Sequence, residues 1–402
     1  MLIFPKIEKV TKDATFVHFF LMFGYKIFSL YFPLFLITRG FSLPEVGYTY
    51  LLIYLPLALF SPVVGFLNHK INPAILTSVG IFGYGVYALG MILIENPALF
   101  FFWQVLLGIS AALFFVSVRA ILIGCHLENP GRAFGWFYSA PFYADAIAPA
   151  VGAVFVWQFG FVGVFVLSLI ITSLTAIYCF KSLEKSARAL PDIGFNLKIA
   201  KEKYRKAFQT IRNKTVLPFI SLSLTVLFLA GFYKSYFVLF LKDELYWSQN
   251  LILVFISVFS ILFLPLSLRL IKYLGEAKSE ENIIKGGTTA GLFSILFGTA
   301  IPFLNFFLVL LISIGRSTGN LICNAGRSGL VSQKLKEDPE EAGAIDTIFA
   351  PLGVALGALV SGLIIGFLGY QSLFILGGVL LVIVSFVILR YIKNTNYEKI
   401  RH

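Results

Sequence analysis

Apolar residues fill most of the chain in blocks of about 20, broken by short polar or Gly/Pro turns such as Asn72-Pro73, Glu95-Asn96-Pro97 and Gly366-Phe367-Leu368-Gly369. A block of that length crosses a hydrocarbon core ~30 Å thick at ~1.5 Å per residue. Backbone in lipid must satisfy its own hydrogen bonds, so each block reads as a helix. The alternating signature of a membrane β-barrel is absent. The pattern predicts twelve crossings, at approximately 13–37, 43–67, 73–94, 98–124, 134–157, 160–180, 216–241, 249–271, 282–302, 303–331, 342–366 and 370–392. The first block follows a basic start (Lys6, Lys9, Lys12), runs past 20 residues and shows no small-residue cleavage site. It is therefore expected to stay as a helix and not to be removed as a signal peptide.

Composition agrees with this class. Only 13% of residues are charged and 58% are hydrophobic, against about 25% charged in a soluble domain, which excludes a string of soluble domains. The net charge of +12 would suit a nucleic-acid ligand if it formed a patch, but it is sorted by side instead. With twelve crossings, 25 basic residues lie on the face that carries both termini or within a turn of it, and only Arg39 and Lys242 on the other. This asymmetry predicts a multi-pass protein of the cell membrane with both termini cytoplasmic, and no nucleic-acid partner.

The longest polar stretch, 181–215, carries ten basic and three acidic residues. It divides the chain into an N-terminal six-helix bundle (1–180), a cytoplasmic basic linker (181–215) and a C-terminal six-helix bundle (216–402). Phe195 to Ile211 could lie as a helix on the anionic inner leaflet, or the whole stretch could be a solvated connection.

Little in the chain suggests bond-making chemistry. Cys125, Cys179 and Cys323 have no CxxC spacing, and His18, His69, His126 and His402 are scattered. No HExxH and no paired intramembrane acids occur. No enzyme, cofactor or metal is expected.

The halves resemble each other. Tyr31-Phe32-Pro33-Leu34-Phe35-Leu36 matches Tyr236-Phe237-Val238-Leu239-Phe240-Leu241, and Arg119 with Leu122 and Leu127 matches Arg327 with Leu330 and Leu335. The offset of about 205 to 208 residues is half the chain, a pattern common in secondary transporters. On the fifth crossing, Gly135-x8-Ala144-x3-Ala148-Pro149-x2-Gly152-Ala153 is similar to the antiporter motif of the major facilitator superfamily, G-x8-G-x3-G-P-x2-G-G. Small residues at this spacing let helices approach closely, and the proline loosens the helix. The loop after the second crossing, Gly65-Phe66-Leu67-Asn68-His69-Lys70, replaces the family's Asp and Arg by His69 and Lys70; Gln104, four before Gly108, stands where relatives often carry Arg. The resemblance covers essentially the whole chain. It implies an all-α integral membrane fold of twelve transmembrane helices in two six-helix repeats. It also implies a monomeric secondary transporter of a small-molecule substrate in the lipid bilayer, with protons as a candidate coupling ion. The motif favours an exporter or proton-coupled antiporter; an importer or uniporter, a lipid scramblase and a non-transporting receptor are the alternatives.

The ionisable residues inside the crossings include Lys26, Arg119, Asp145, Lys234, Arg316 and Arg327. A charge at that depth costs ~2.5 kcal/mol or more, so each should face a cavity or a partner. In the resembled fold, crossings 1, 4, 7 and 10 line a central cavity, and Lys26, Lys234 and Arg316 occupy three of them. They are the expected substrate-binding residues, suited to an organic anion or an amphipathic acid. Asp145 is either the proton-coupling carboxylate or the structural partner of Lys26. Arg119, Glu128, Arg132, Arg327 and Asp346 are expected to gate the cytoplasmic side, and Gly135, Ala144, Ala148, Pro149 and Gly152 to pack helices.

Overall fold

A computed structural model of the chain describes residues 8–29, 31–68, 70–93, 97–125, 130–187, 197–274, 278–335 and 339–401. Every regular element among them is helical: α1 (Lys9–Ser29), α2 (Phe32–Thr38), α3 (Leu43–Leu67), α4 (Pro73–Leu93), α5 (Pro97–Gly124), α6 (Pro130–Ala187), α7 (Leu197–Ile211), α8 (Leu217–Asp243), α9 (Gln249–Leu274), α10 (Ser279–Thr299), α11 (Phe306–Lys334) and α12 (Pro339–Arg401). A single 3-10 turn, Ile301–Phe303, precedes α11.

Local chemistry sets the boundaries. Proline opens α4, α5, α6 and α12, where its missing N–H costs nothing and its fixed φ is already helical. At the start of α3, the Glu45 carboxylate accepts from both the backbone N–H and the hydroxyl of Ser42, each at 2.7 Å, a capping box read directly from Ser-x-x-Glu. Asn305 caps α11, its side-chain oxygen accepting from Leu308 N at 3.0 Å, so the helix begins three residues later than its hydrophobicity suggests. The first block is not one helix: α1 ends at Ser29 and α2 starts at Phe32. Pro33 has no N–H to offer the Ser29 carbonyl, so the continuous run expected over 13–37 is interrupted there.

Two helices are far longer than a bilayer is thick. Within α6 and α12, apolar spans of 52 residues (Trp136–Ala187) and 48 residues (Ala344–Tyr391) each reverse at a glycine. Gly160 has φ 65° and ψ −171°, and Gly369 has φ 74° and ψ 173°, a backbone region open essentially to glycine alone. The first and second arms of α6 and α12 are therefore separate helices. In all, nine spans among the described residues are long and apolar enough to cross a membrane.

The chain forms two compact units, one of Met1–Phe35, Leu52–Tyr204 and Asp338–Pro351, the other of Leu36–Leu51, Arg205–Glu337 and Leu352–His402. In the first, α1 packs on α6, and α4 on α5 and α6; in the second, α10 packs on α11, with α8 and α9 against them. The same packing recurs at the repeat offset. A Cβ on Gly80 would meet Ser110 O and Phe114 N of α5 at 2.7 and 2.6 Å. On Gly286 it would press on Gly319 O and Cys323 N of α11, the positions 209 residues on. Backbone conformation repeats as well. The left-handed residues among those described are Gly40, Gly160, Tyr246 and Gly369, two pairs spaced 206 and 209 apart.

Candidate functional site

In the first unit, α1 and the first arm of α6 run parallel and are joined by three polar rungs. Pro141 lacks an N–H, which frees the carbonyl of Phe137 one turn earlier in α6. His18 Nδ1 fills that gap at 2.9 Å. Only a protonated nitrogen bonds a carbonyl, so Nε2 is the bare acceptor of this ring; it is buried with no hydrogen-bond partner among the described residues. The ring stacks on Phe137 with centroids 4.3 Å apart and lies against Phe114 and Phe115.

The second rung is Lys26, whose Nζ sits 2.5 Å from Asp145 Oδ1 and donates to Pro141 O at 3.3 Å. The lysine side chain is 17% exposed and the carboxylate 34%. In the third, Tyr31 OH donates to the Pro149 carbonyl at 2.5 Å. Between the rungs the helices touch closely: Ala144 and Ala148 are fully buried, and a Cβ on Gly152 would overlap the Ile27 backbone. The small residues of the sequence motif therefore pack α6 against α1. Gly135 belongs to α6 as well.

In the second unit the midpoint of α11 carries Arg316 over the face of Tyr233 from α8, its Cζ 3.3 Å from the ring centroid, close enough for a strong cation–π contact. Nη2 donates to the neighbouring Ser317 hydroxyl at 3.2 Å, while Nε is buried and makes no hydrogen bond. No carboxylate pairs with Arg316 among the described residues. Ser313 Oγ is likewise buried without a hydrogen-bond partner among the described residues, and Tyr233 OH is buried within reach of the Ser294 side chain. Tyr233 is boxed by Phe237, Phe297 and Phe374. Lys234 is exposed, turned away from its neighbour because adjacent helical residues do not share a face. Toward the end of α11 the polar line continues: Asn324 Nδ2 donates to Asn320 Oδ1 at 2.9 Å, and buried Arg327 donates to Asn324 Oδ1 at 3.1 Å.

Of the expected gating residues, Arg119 of α5 donates to the Thr347 hydroxyl of α12, within the first unit, and its guanidinium lies over the Tyr138 and Phe115 rings at 5.4 and 6.0 Å. Asp346 is buried beside Thr347 in the sequence. Glu128 and the side chain of Arg132 lie outside the described residues. Gln104 is fully buried and accepts from Tyr87 OH at 3.1 Å. Sequence reasoning passed over three groups. His18 was one scattered histidine until its proline partner was known. Tyr233 was one of many aromatics. Asp13, at the edge of the first crossing, is buried and accepts from Tyr178 OH at 3.1 Å.

An all-helical chain with this many bilayer-length apolar spans, and with charges held inside them, is a multi-pass membrane protein. The sequence profile of the Major Facilitator Superfamily matches residues 14–344, and the chain belongs to that superfamily. No curated protein sequence matches it. Among solved structures it is similar to a POT family transporter in complex with a thioalcohol-conjugated peptide (TM-score 0.76, 15% identity, 96% of each chain covered). It is also similar to the nucleoside transporter NupG (0.74, 12%, 95% of this chain and 99% of that one). A third is the human organic anion transporter MFSD10 (0.71, 14%, 94% and 99%). At these identities the likeness is one of fold.

Proposed function

We propose that the protein is a secondary transporter of a small organic anion, working by alternating access across twelve crossings with both termini in the cytoplasm. The observation that carries this reading is the contrast between two midmembrane cations. Lys26 is neutralised by Asp145, whereas Arg316 rests on a neutral ring with donor capacity unspent. A guanidinium held in an apolar setting without a counter-charge is a cost unless a ligand supplies the charge. The solved transporters of the same fold named above are described as handling a peptide, a nucleoside and organic anions, which supports a small organic solute. Lys234 adds positive charge on α8. Arg119, Arg327, Asp346, Glu128 and Arg132 serve as the gate, and the α1–α6 motif favours export.

The test is uptake and counterflow of a panel of organic anions, cations and neutral solutes in proteoliposomes. Anions are expected to exchange, and Arg316→Gln to weaken their binding about tenfold or more, the worth of a charged hydrogen bond, while Arg39→Gln does little. Equal effects of both variants, or exchange confined to cations, would sink the reading.

A second component is proton coupling at Asp145, favoured by its side-chain exposure of 34% beside a more deeply buried lysine. Protonation would dissolve the pair with Lys26 and change what the first unit holds. Lys26→Met/Asp145→Asn keeps the site neutral, so its expected behaviour is intact counterflow without accumulation driven by a pH gradient. Gradient-driven transport by that double variant would remove Asp145 from the coupling step.

A further inference from the structure

Resting on that reading, we infer that the Arg316 site takes a single monovalent carboxylate carried on an apolar or aromatic body, bound side-on to the Nε edge of the guanidinium, and that it discriminates against dianions.

Three observations converge. The Tyr233 ring lies 3.3 Å from Cζ and takes up that side of the guanidinium, while its N–H edge remains for a ligand. In that plane Nε is a buried donor with no partner, and its neighbour Nη2 makes only a 3.2 Å bond to the neutral Ser317 hydroxyl. A planar carboxylate matches such an N–H pair in a bidentate, charge-assisted contact and replaces the weaker neutral bond.

Two buried hydroxyls sit around the same spot. Tyr233 OH belongs to the ring that Arg316 touches, and Ser313 lies one turn before Arg316 on the same side of α11. Both side chains are more than nine-tenths buried, at 8% and 3% exposure. Buried hydroxyls are almost always hydrogen-bonded, and the open Ser313 hydroxyl, on the side of α11 that carries the open guanidinium edge, is a donor for an acceptor oxygen.

Charge and shape narrow the class further. Lys234 is exposed next to Tyr233 in sequence but off its face, so among the described residues Arg316 is the one cation on this ring. It balances one negative charge; a second would be buried without compensation. Phe237 beside Tyr233 and Phe293, whose ring faces Gly315, both partly exposed, supply apolar surface for the rest of the molecule.

The experiment uses the full chain in detergent and in proteoliposomes with four probes sharing one phenyl body: 4-phenylbutyrate, its neutral amide, phenylphosphonate and phenylmalonate. Thermal protection and inhibition of counterflow are read for each. The monocarboxylate is expected to protect and compete, with the amide and both dianions at least tenfold weaker at a pH where the dianions are fully ionised. Arg316→Lys keeps the charge but loses the planar edge and is expected to weaken the monocarboxylate about as much as Arg316→Gln does. Tyr233→Phe removes the ring hydroxyl beside the guanidinium and is expected to lower monocarboxylate affinity severalfold.

Dianions equal to or better than the monocarboxylate, or full rescue by lysine, overturn this inference and leave the organic-anion reading standing. Indifference to Arg316→Gln for every anion overturns both. No protection by the monocarboxylate in the wild-type protein overturns the inference alone.

Discussion

The two units solve the same problem in opposite ways. Each holds a partly buried cation within an apolar span. In the first, Lys26 has a carboxylate at 2.5 Å and a carbonyl at 3.3 Å, so the charge is answered inside the protein. In the second, Arg316 has an aromatic face and one hydroxyl. The repeat does not predict this. At the matching offsets Lys26 corresponds to Gly231 and Arg316 to Leu107, neither of them charged. Repetition is kept where backbone meets backbone, at Gly80 and Gly286 and at the turns of Gly160 and Gly369. It is dropped where charge sits. Close helix packing constrains both halves alike, because a misplaced methylene costs stability in either. Charges are free to diverge because each binds something different.

The comparison breaks most directly by removing one member of the Lys26 pair. Lys26→Met or Asp145→Asn alone should lower stability by about 3 kcal/mol, the low end for a broken buried pair, since Asp145 retains a third of its exposure. The double change should recover most of that loss, as read by thermal unfolding and by yield of monodisperse protein. Arg316→Met should do the reverse, leaving the melting temperature equal or higher, because no carboxylate among the described residues is left behind. If the two cations behave alike, the contrast between the units is wrong.

A second, smaller effect sharpens the account of the α1–α6 contact. His18→Leu leaves the Phe137 carbonyl unsatisfied and should cost about 1–3 kcal/mol. In a Pro141→Ala background the helix regains its own N–H donor, and the same substitution should cost clearly less. Equal costs in both backgrounds would mean that the histidine holds α6 by packing alone.

The smallest effect concerns the turn after α8. Tyr246 adopts φ 54° with its side chain 88% exposed, where the repeat partner is Gly40. A left-handed backbone costs a non-glycine residue about 1–2 kcal/mol, so Tyr246→Gly should raise stability by up to about 1 kcal/mol, part of the relief being offset by the greater freedom of glycine in the unfolded chain. A drop in the melting temperature would show that the ring is anchored in a way its exposure hides.

Much of the fold was legible because membrane helices announce themselves by length. The helix expected over 43–67 forms as Leu43–Leu67, fixed by Ser42 and Glu45 at its start. The boundary expected between 157 and 160 appears as the turn at Gly160. The break before Phe32 was missed although Pro33 was in view, since hydrophobicity runs straight through it. The site was legible only as residue types. Lys26 and Asp145 could be paired on depth alone. That Pro141 frees a carbonyl for His18, or that Tyr233 and not another aromatic lies under Arg316, depends on which helix faces meet. No pattern along one chain encodes that.

The rungs between α1 and α6 also impose an order of events during synthesis. His18 and Phe137 are 119 residues apart, Lys26 and Pro141 115, and Tyr31 and Pro149 118. At ~5–20 residues per second, α1 emerges from the ribosome on the order of 10 s before the helix that satisfies it. Through that interval its lysine and its histidine have none of their final partners. Of the two helices, α1 is made earlier and waits for these polar partners while α2 to α5 are synthesised.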